Sequence, residues 1–204
     1  MSFEKDCQER LRDAAAAATA LFIQGGSSKA FYGRVVAGEK FSLRDHEGIL
    51  DYSPTELLVS VRAGTPLREV QALLATEKQM LPFEPPHFGN SATLGGTIAC
   101  GFSGPRRPYT GAARDFVLGI RCINGKGEIL RFGGRVMKNV AGYDVSRTLT
   151  GSLGTLAVLL EINLRVMPLP EYEVTLRREA TQEEALRLFS NWSGLPLPVS
   201  GGCC

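Results

Sequence analysis

The sequence predicts a mixed α+β fold in two lobes. Three observations predict it. Residues 1–80 alternate helix-period and strand-period segments. From Leu81 onward proline and glycine become frequent and apolar, β-branched runs dominate. Glycine-rich loops adjoin these segments at residues 24–29, 91–101 and 151–155. Residues 1–80 therefore read as a small α/β lobe, and residues 82–168 as an α+β lobe with a mixed or antiparallel sheet. Residues 171–204 read as the incomplete start of a further unit.

Each element has its own signal. Residues 3–21 predict a helix: Leu11, Ala14, Ala15, Ala18 and Leu21 fall near one face, and the alanine run favours helix. Residues 21–24 (LFIQ) are a short strand ended by the turn Gly25-Gly26-Ser27-Ser28. Residues 41–43 and 48–52 read as short strands, and 57–63 as a buried strand. Gly64-Thr65-Pro66 opens the next helix, with Thr65 as N-cap, Pro66 as first helical residue and Leu67, Val70, Leu73 and Leu74 on the buried face. Residues 116–123 and 128–132 flank Asn124-Gly125-Lys126-Gly127, a hairpin signal. Residues 143–150 are a short helix, and 156–167 a long apolar strand closed by Pro168 and Pro170. Beyond it, 173–178 read as a strand, 181–192 as a helix capped by Thr181, and Val199 as the start of another strand.

Composition narrows the function classes. The chain has 204 residues, 44% of them hydrophobic, and a net charge of +2 with the charges scattered. It can bury a real core. A nucleic-acid groove is disfavoured, because Arg106-Arg107 is too short a basic cluster. No secretory signal pattern and no apolar run of membrane-spanning length occur, so the chain is expected to be cytoplasmic. Five cysteines form no CxxC pair, and His46 and His87 are the two histidines, so a zinc or iron–sulfur site is not expected. The ending VSGGCC finishes no element, and the chain is expected to stop early.

Residues 85–111, PPHFGNSATLGGTIACGFSGPRRPYTG, carry the densest signal. Glycines 89, 95, 96, 101, 104 and 111 sit among small and hydroxyl side chains. Glycine lets backbone approach a ligand, and consecutive N–H groups in such turns cradle phosphate. In Gln24-Gly25-Gly26-Ser27-Ser28-Lys29 the glycine N–H groups and serine hydroxyls suit a diphosphate, with Lys29 adding charge; a plain glycine turn explains the same residues. Ser91, Thr93, Gly95, Gly96, Thr97 and Gly101 repeat the pattern in the second lobe, where a short helix over 94–102 would turn its N-terminus to the ligand. Gly151-Ser152-Leu153-Gly154-Thr155 is the third such loop, although a helix C-cap alone accounts for Gly151.

Other enzyme signatures are missing. No GxGxxG follows the first strand, and there is no Walker A sequence or GxSxG elbow. His87 could be a base, but a lone loop histidine is more often structural. Arg106 and Arg107 could hold a carboxylate, contact phosphate or simply face solvent. Lys138, Asn139, Tyr143 and Asp144 could rim a cofactor site or merely cap a short helix.

Together GGSS, SATLGGTIACG and KNVAGYDVSRTLTGSLGTL, in that order, resemble the PCMH-type FAD-binding domain of the vanillyl-alcohol oxidase / p-cresol methylhydroxylase superfamily, over about residues 5–170. FIQGGSSKAFYGR, MLPFEPPHFG, GPRRPYTGAARDFVLG and RFGGRVMKNVAGYDVSR look like the E-subunit family of bacterial glycolate oxidases (glycolate dehydrogenases). The resemblance implies FAD lying extended between two lobes. Gly25, Gly26, Ser27, Ser28 and Lys29 would take the diphosphate, and Ser91, Thr93, Gly95, Gly96, Thr97 and Gly101 would line it. Gly151 and Gly154 would lie near the adenine or diphosphate end. The first loop offers no histidine or cysteine, so the FAD would be non-covalent. The family often has Glu where Leu153 stands and Gly where Ala157 stands. Its substrate pocket is partly built by a following cap domain, of which only the first strand and helix are expected here.

The resemblance also implies partners, a second flavin subunit and an iron–sulfur subunit. The complex would oxidise glycolate, a small 2-hydroxy acid, to glyoxylate and pass electrons toward the membrane chain. No catalytic residue is assigned. The alternative is a non-catalytic flavin-binding structural or electron-relay subunit, and a third reading is an NADPH-oxidising flavoprotein of the enolpyruvyl-UDP-sugar reductase type.

Overall fold

Two apolar runs, LLVSVR and VLLEINLR, make the centre of the protein. The computed structural model describes residues 3–134 and 143–203. In chain order these form α1 (Phe3–Ala16), β1 (Leu21–Gln24), β2 (Glu39–Ser42), β3 (Ile49–Ser53), β4 (Leu58–Arg62), α2 (Leu67–Thr76) and β5 (Gln79–Met80). There follow α3 (Leu94–Cys100), α4 (Arg107–Thr110), α5 (Ala113–Phe116), β6 (Val117–Ile123) and β7 (Ile129–Gly133). The last are α6 (Val145–Leu149), β8 (Val158–Arg165), β9 (Met167–Pro168) and α7 (Gln182–Ser193).

The five-stranded sheet has the order β3-β4-β8-β6-β7, with every neighbouring pair antiparallel. A parallel pair, β1–β2, and a two-residue antiparallel pair, β5–β9, stand beside it. The mixed α+β class predicted from the sequence is the one observed. Residue 80 does not mark a seam between sheets, however. β3 and β4 precede it and yet join β8 in the main sheet. Strand pairing at that sequence separation leaves no local mark, so pattern reading divides the chain where composition changes instead.

β8 is covered on both faces, which is why its sequence is nearly all apolar. Val158 and Leu160 pack with Cys7 and Leu11 of α1 and with Phe41 and Leu43. Leu159, Ile162 and Leu164 pack with Leu67, Val70 and Leu74 of α2 and with Leu94 and Ile98 of α3. The apolar parity of β8 therefore flips between Leu159 and Ile162. Its pairing with β6 shifts at the same place: Arg121 faces Glu161 and Cys122 faces Leu159, so Leu160 has no partner on β6. The bulge also turns Glu161 to the α1 side. There Arg121 donates to Glu161 at 2.8 Å and to Glu4 of α1 at 2.6 Å, tying helix to sheet.

Several expectations are corrected. α1 ends at Ala16, because Ala18 turns to φ +51 and Thr19 N–H closes back on the Ala14 carbonyl, freeing Leu21 for β1. Thr65 does not cap α2. Its hydroxyl accepts from Gly48 N–H and donates to the Arg62 carbonyl at 2.8 Å, and Pro66 holds the cap position. Residues 173–178 and Val199 form no strand among the described residues, having no described strand to pair with. The helix after Thr181 forms as expected, closed by a reciprocal Thr181–Glu184 capping box.

His46 is buried, stacks on Phe3 with centroids 4.8 Å apart, and leaves Nε2 without a partner among the described residues. Burial holds its pKa below the ordinary 6.5. The unfolded chain therefore takes up a proton that the folded chain resists. The stability this confers is present above about pH 6.5 and is lost as pH falls through the folded value. Denaturant unfolding at a series of pH values is expected to show that decline, and His46→Phe is expected to flatten it. Ile162→Ala is expected to cost about 2–5 kcal/mol in the same assay, from a cavity in the central strand, whereas Leu176→Ala, at a residue 90% exposed, is expected to change stability by less than about 0.5 kcal/mol.

Candidate cofactor site

The short helix α3 is the part around which the three glycine loops assemble. Its N-cap is Thr93, whose hydroxyl accepts from Gly96 N–H at 3.2 Å, and it ends at Gly101 with φ +67. Gly95 lets it lie directly on β4: a Cβ there would sit 2.6 Å from the Ala63 Cβ, and Gly95 N–H donates to the Ala63 carbonyl at 2.8 Å.

The first loop docks against the start of α3. A Cβ on Gly25 would meet the Thr93 hydroxyl at 2.3 Å, and one on Gly26 would fall 1.3 Å from the Ser91 carbonyl oxygen. No other residue type fits at either position. Ser27 takes φ +56, the left-handed step from which anion-binding turns are built. The N–H groups of Gly25, Gly26, Ser27, Ser28 and Lys29 donate to no other described residue. These five successive donors stand unused beside Gly25, which lines the cleft.

The second loop behaves differently from the expectation. The N–H groups at the start of α3 are already used: Leu94 donates to Thr65, Gly95 to Ala63, Gly96 to the Thr93 hydroxyl and Thr97 to the Thr93 carbonyl. The helix N-terminus therefore has no free donors to turn toward a ligand. Its glycines act by leaving room. The third loop is fastened to the other end of α3, with Gly151 N–H on the Ile98 carbonyl at 3.0 Å and Leu153 N–H on the Ala99 carbonyl at 2.8 Å. Gly151, at φ +85, is not the C-cap of α6: Thr150 holds that position in extended conformation, and Gly151 gives its N–H to α3.

An open cleft lies where the three loops meet. Gly25 comes from the first loop, Thr93, Gly95 and Gly96 from the second, and Leu153 and Gly154 from the third. Its remaining wall is apolar: Ile23, Leu43, Ala63, Ala99, Ala157 and Leu159. The sequence reading found the loops but missed this wall, whose residues look like ordinary core when read along the chain.

At the far end of the first loop lies Lys29, buried at 7% exposure. Its ammonium approaches the Thr97 hydroxyl at 3.4 Å and stands 6.0 Å from the centre of the Phe88 ring. Burial pushes its pKa down, opposed by the neighbouring Cys100. Around it is an aromatic group that the sequence reading also missed. Phe88 meets Phe31 at 5.0 Å and Phe102 at 5.6 Å, and Tyr32 meets Phe102 at 4.6 Å. The signal was available: AFYGRVV places aromatic and apolar residues just after the loop, outside any strand pattern.

Other candidates have structural roles. His87 Nε2 pairs with Gln71 Oε1 of α2 at 2.7 Å. Arg106 pairs with Glu84 at 2.7 Å and with Glu173. Asp144 caps α6, accepting from Arg147 N–H at 3.1 Å. Lys138 and Asn139 lie outside the described residues. Cys7 and Cys122 are buried, with pKa values pushed up to about 11. No cluster of metal-ligating side chains occurs among the described residues.

The family model described as FAD binding domain matches residues 2–133. Glycolate oxidase subunit GlcE of Escherichia coli (strain K12) is 53% identical over 96% of this chain and 56% of its own length. The D-lactate dehydrogenase of Archaeoglobus fulgidus is 31% identical over 88% of this chain and 41% of its own length. Glycolate oxidase subunit GlcD of Bacillus subtilis (strain 168) is 34% identical over 63% of this chain and 27% of its own length. The chain thus spans little more than half the length of the first of these and less of the others. A solved alkyldihydroxyacetonephosphate synthase shares the fold, with a TM-score of 0.65 at 21% identity over 82% of this chain and 31% of its own. The chain belongs to the FAD-binding domain family, and its cofactor is FAD.

Proposed function

We propose that this chain binds FAD non-covalently in the cleft between its glycine loops and serves as the FAD-binding subunit of a glycolate-oxidising complex. The observation that carries the reading is the convergence of residues 24–29, 91–101 and 151–155 on one cleft, with five successive N–H groups left free on the first loop. Gly25, Gly26, Ser27 and Ser28 would donate to the diphosphate, as backbone turns of this kind do to phosphate oxygens. Gly95 and Gly96, with Ser91, Thr93, Thr97 and Gly101, would shape the opposite side. Gly151 and Gly154 would close the end of the cleft. The residues fit such a group: glycine openings where a Cβ would collide, unused donors, and a buried ammonium.

FAD supplies hydride acceptance from the hydroxyl-bearing carbon of the acid. The protein's share is to bind, to orient and to exclude water. On this reading glycolate becomes glyoxylate, and electrons pass to a second flavin subunit and an iron–sulfur subunit. The assembly is cytoplasmic and peripheral to the inner membrane; no described helix is long and apolar enough to cross one. The relatives named as glycolate oxidase subunits support this assignment. Residues 171–203 would begin the cap domain.

One observation favours the second reading, a flavin-binding relay or structural subunit. The cleft is lined by no acid, base or histidine among the described residues, and His87 is engaged by Gln71. Glycolate-dependent bleaching of the flavin bands by this chain alone would decide for catalysis, and bleaching only with the partner subunits would decide for relay.

The purified chain is expected to show flavin absorption bands, or to gain them on FAD titration, and to release free FAD on denaturation. A folded chain that takes up no FAD would overturn the proposal. Gly26→Ala is expected to weaken FAD binding by at least about tenfold, because the added methyl pushes the first loop off Ser91. Fluorescence titration measures this.

A further inference from the structure

Among the described residues Lys29 is the only lysine or arginine buried from solvent. A buried cation is ordinarily paired, because desolvation of an isolated ammonium costs several kcal/mol. Here no carboxylate of the described residues reaches it. Its hydrogen-bond neighbours are the Ser28 hydroxyl at 3.5 Å and the Thr97 hydroxyl at 3.4 Å, and its titratable neighbour is Cys100. The Thr97 hydroxyl already donates to the Thr93 carbonyl at 2.9 Å, so its lone pairs are turned toward the ammonium. Such a charge is poised for an anion that arrives with the ligand.

The position of the ammonium says which part of the ligand that is. The first loop runs along α3. Gly25 lies against Thr93, at the start of the helix, and the Lys29 ammonium lies by Thr97, roughly 6 Å further along the axis at 1.5 Å per residue. The free N–H groups are on the loop between, and they suffice for a diphosphate. The ammonium instead sits under Phe88, which packs with Phe31 and Phe102. Phe31 and Phe88 are 66% and 48% exposed. Exposed aromatic faces contiguous with a nucleotide site suit a flat conjugated ring.

We infer that Lys29 is a redox-tuning residue: its ammonium is the counter-charge for the negative charge that the isoalloxazine gains on two-electron reduction. This rests on the FAD reading above. A 2-hydroxy acid gives up its α-hydrogen as hydride, two electrons and a proton, and its hydroxyl proton to solvent, becoming the 2-oxo acid. The oxidised ring is neutral and the reduced ring, with the hydride, carries one negative charge. A fixed cation stabilises the second state over the first and raises the midpoint potential.

The test is a reference-dye reductive titration of FAD bound to the full chain, with dithionite as reductant, for wild type, Lys29→Met and Lys29→Arg. FAD affinity is measured in parallel by fluorescence, and folding by melting of the FAD-free chains. Lys29→Met is expected to keep FAD but bind reduced FAD about tenfold less tightly relative to oxidised FAD, a fall of about 30 mV for a two-electron couple. Lys29→Arg is expected to retain most of the potential. FAD-free Lys29→Met is expected to melt no lower than wild type, since an unpaired buried charge is gone. An unchanged potential with both redox states bound more weakly would mean that Lys29 serves the diphosphate, and would overturn the inference while leaving FAD binding standing. A wild-type chain that binds no FAD would overturn both.

Discussion

One close contact, Gly95 on Ala63, is the one on which the site depends. Without a side chain at residue 95, α3 can lie on β4 and give its N–H to the strand's end. That places Thr93 where Gly25 must pass and turns the Ile98 and Ala99 carbonyls toward the third loop. A side chain at position 95 would lift α3 from the sheet and part all three loops together. The glycines of the second loop therefore act through packing, and the first loop supplies the donors.

The consequence is a division of chemistry along one short helix. The cleft wall beside the start of α3 is apolar, built from Ala99 of α3 and from residues of β1, β8 and the flanks of β2, β4 and β8. Low polarity there strengthens each hydrogen bond and charge that faces it. Unused N–H groups follow along the first loop, then a buried ammonium, then aromatic rings. An elongated ligand with a flat end and a charged middle matches that order better than a compact one.

The segment after β9 has a different character. Tyr172, Val174, Leu176, Leu186 and Leu195 are exposed, and α7 buries none of its residues. α7 is held by local means, its capping box and an Arg187–Glu183 pair one turn apart. Its tie to the rest runs through Glu173, which accepts from Arg106 and from Ser200. A helix with strong local signals forms whether or not its apolar side is covered, whereas a strand needs a neighbour. This is why the prediction for residues 181–192 agreed with the structure and the prediction for 173–178 did not.

The sequence by itself determined whatever depends on neighbours a few residues apart. The Asn124–Gly127 hairpin, the Thr181 cap, the glycine loops and the order of most strands were legible because turn chemistry and periodicity are local. The motif order also identified the family. Only the tertiary structure decided that β4 pairs with β8 across 100 residues, that a bulge at Leu160 flips the apolar parity of β8, and that Thr65 spends its hydroxyl on Gly48 and Arg62 instead of capping α2. It alone decided that the N–H groups of α3 are occupied while those of residues 25–29 are free, and that Lys29 is buried with no carboxylate of the described residues reaching it. These facts follow from which distant groups meet, and a glycine that makes room for a ligand reads the same along the chain as one that makes room for a strand.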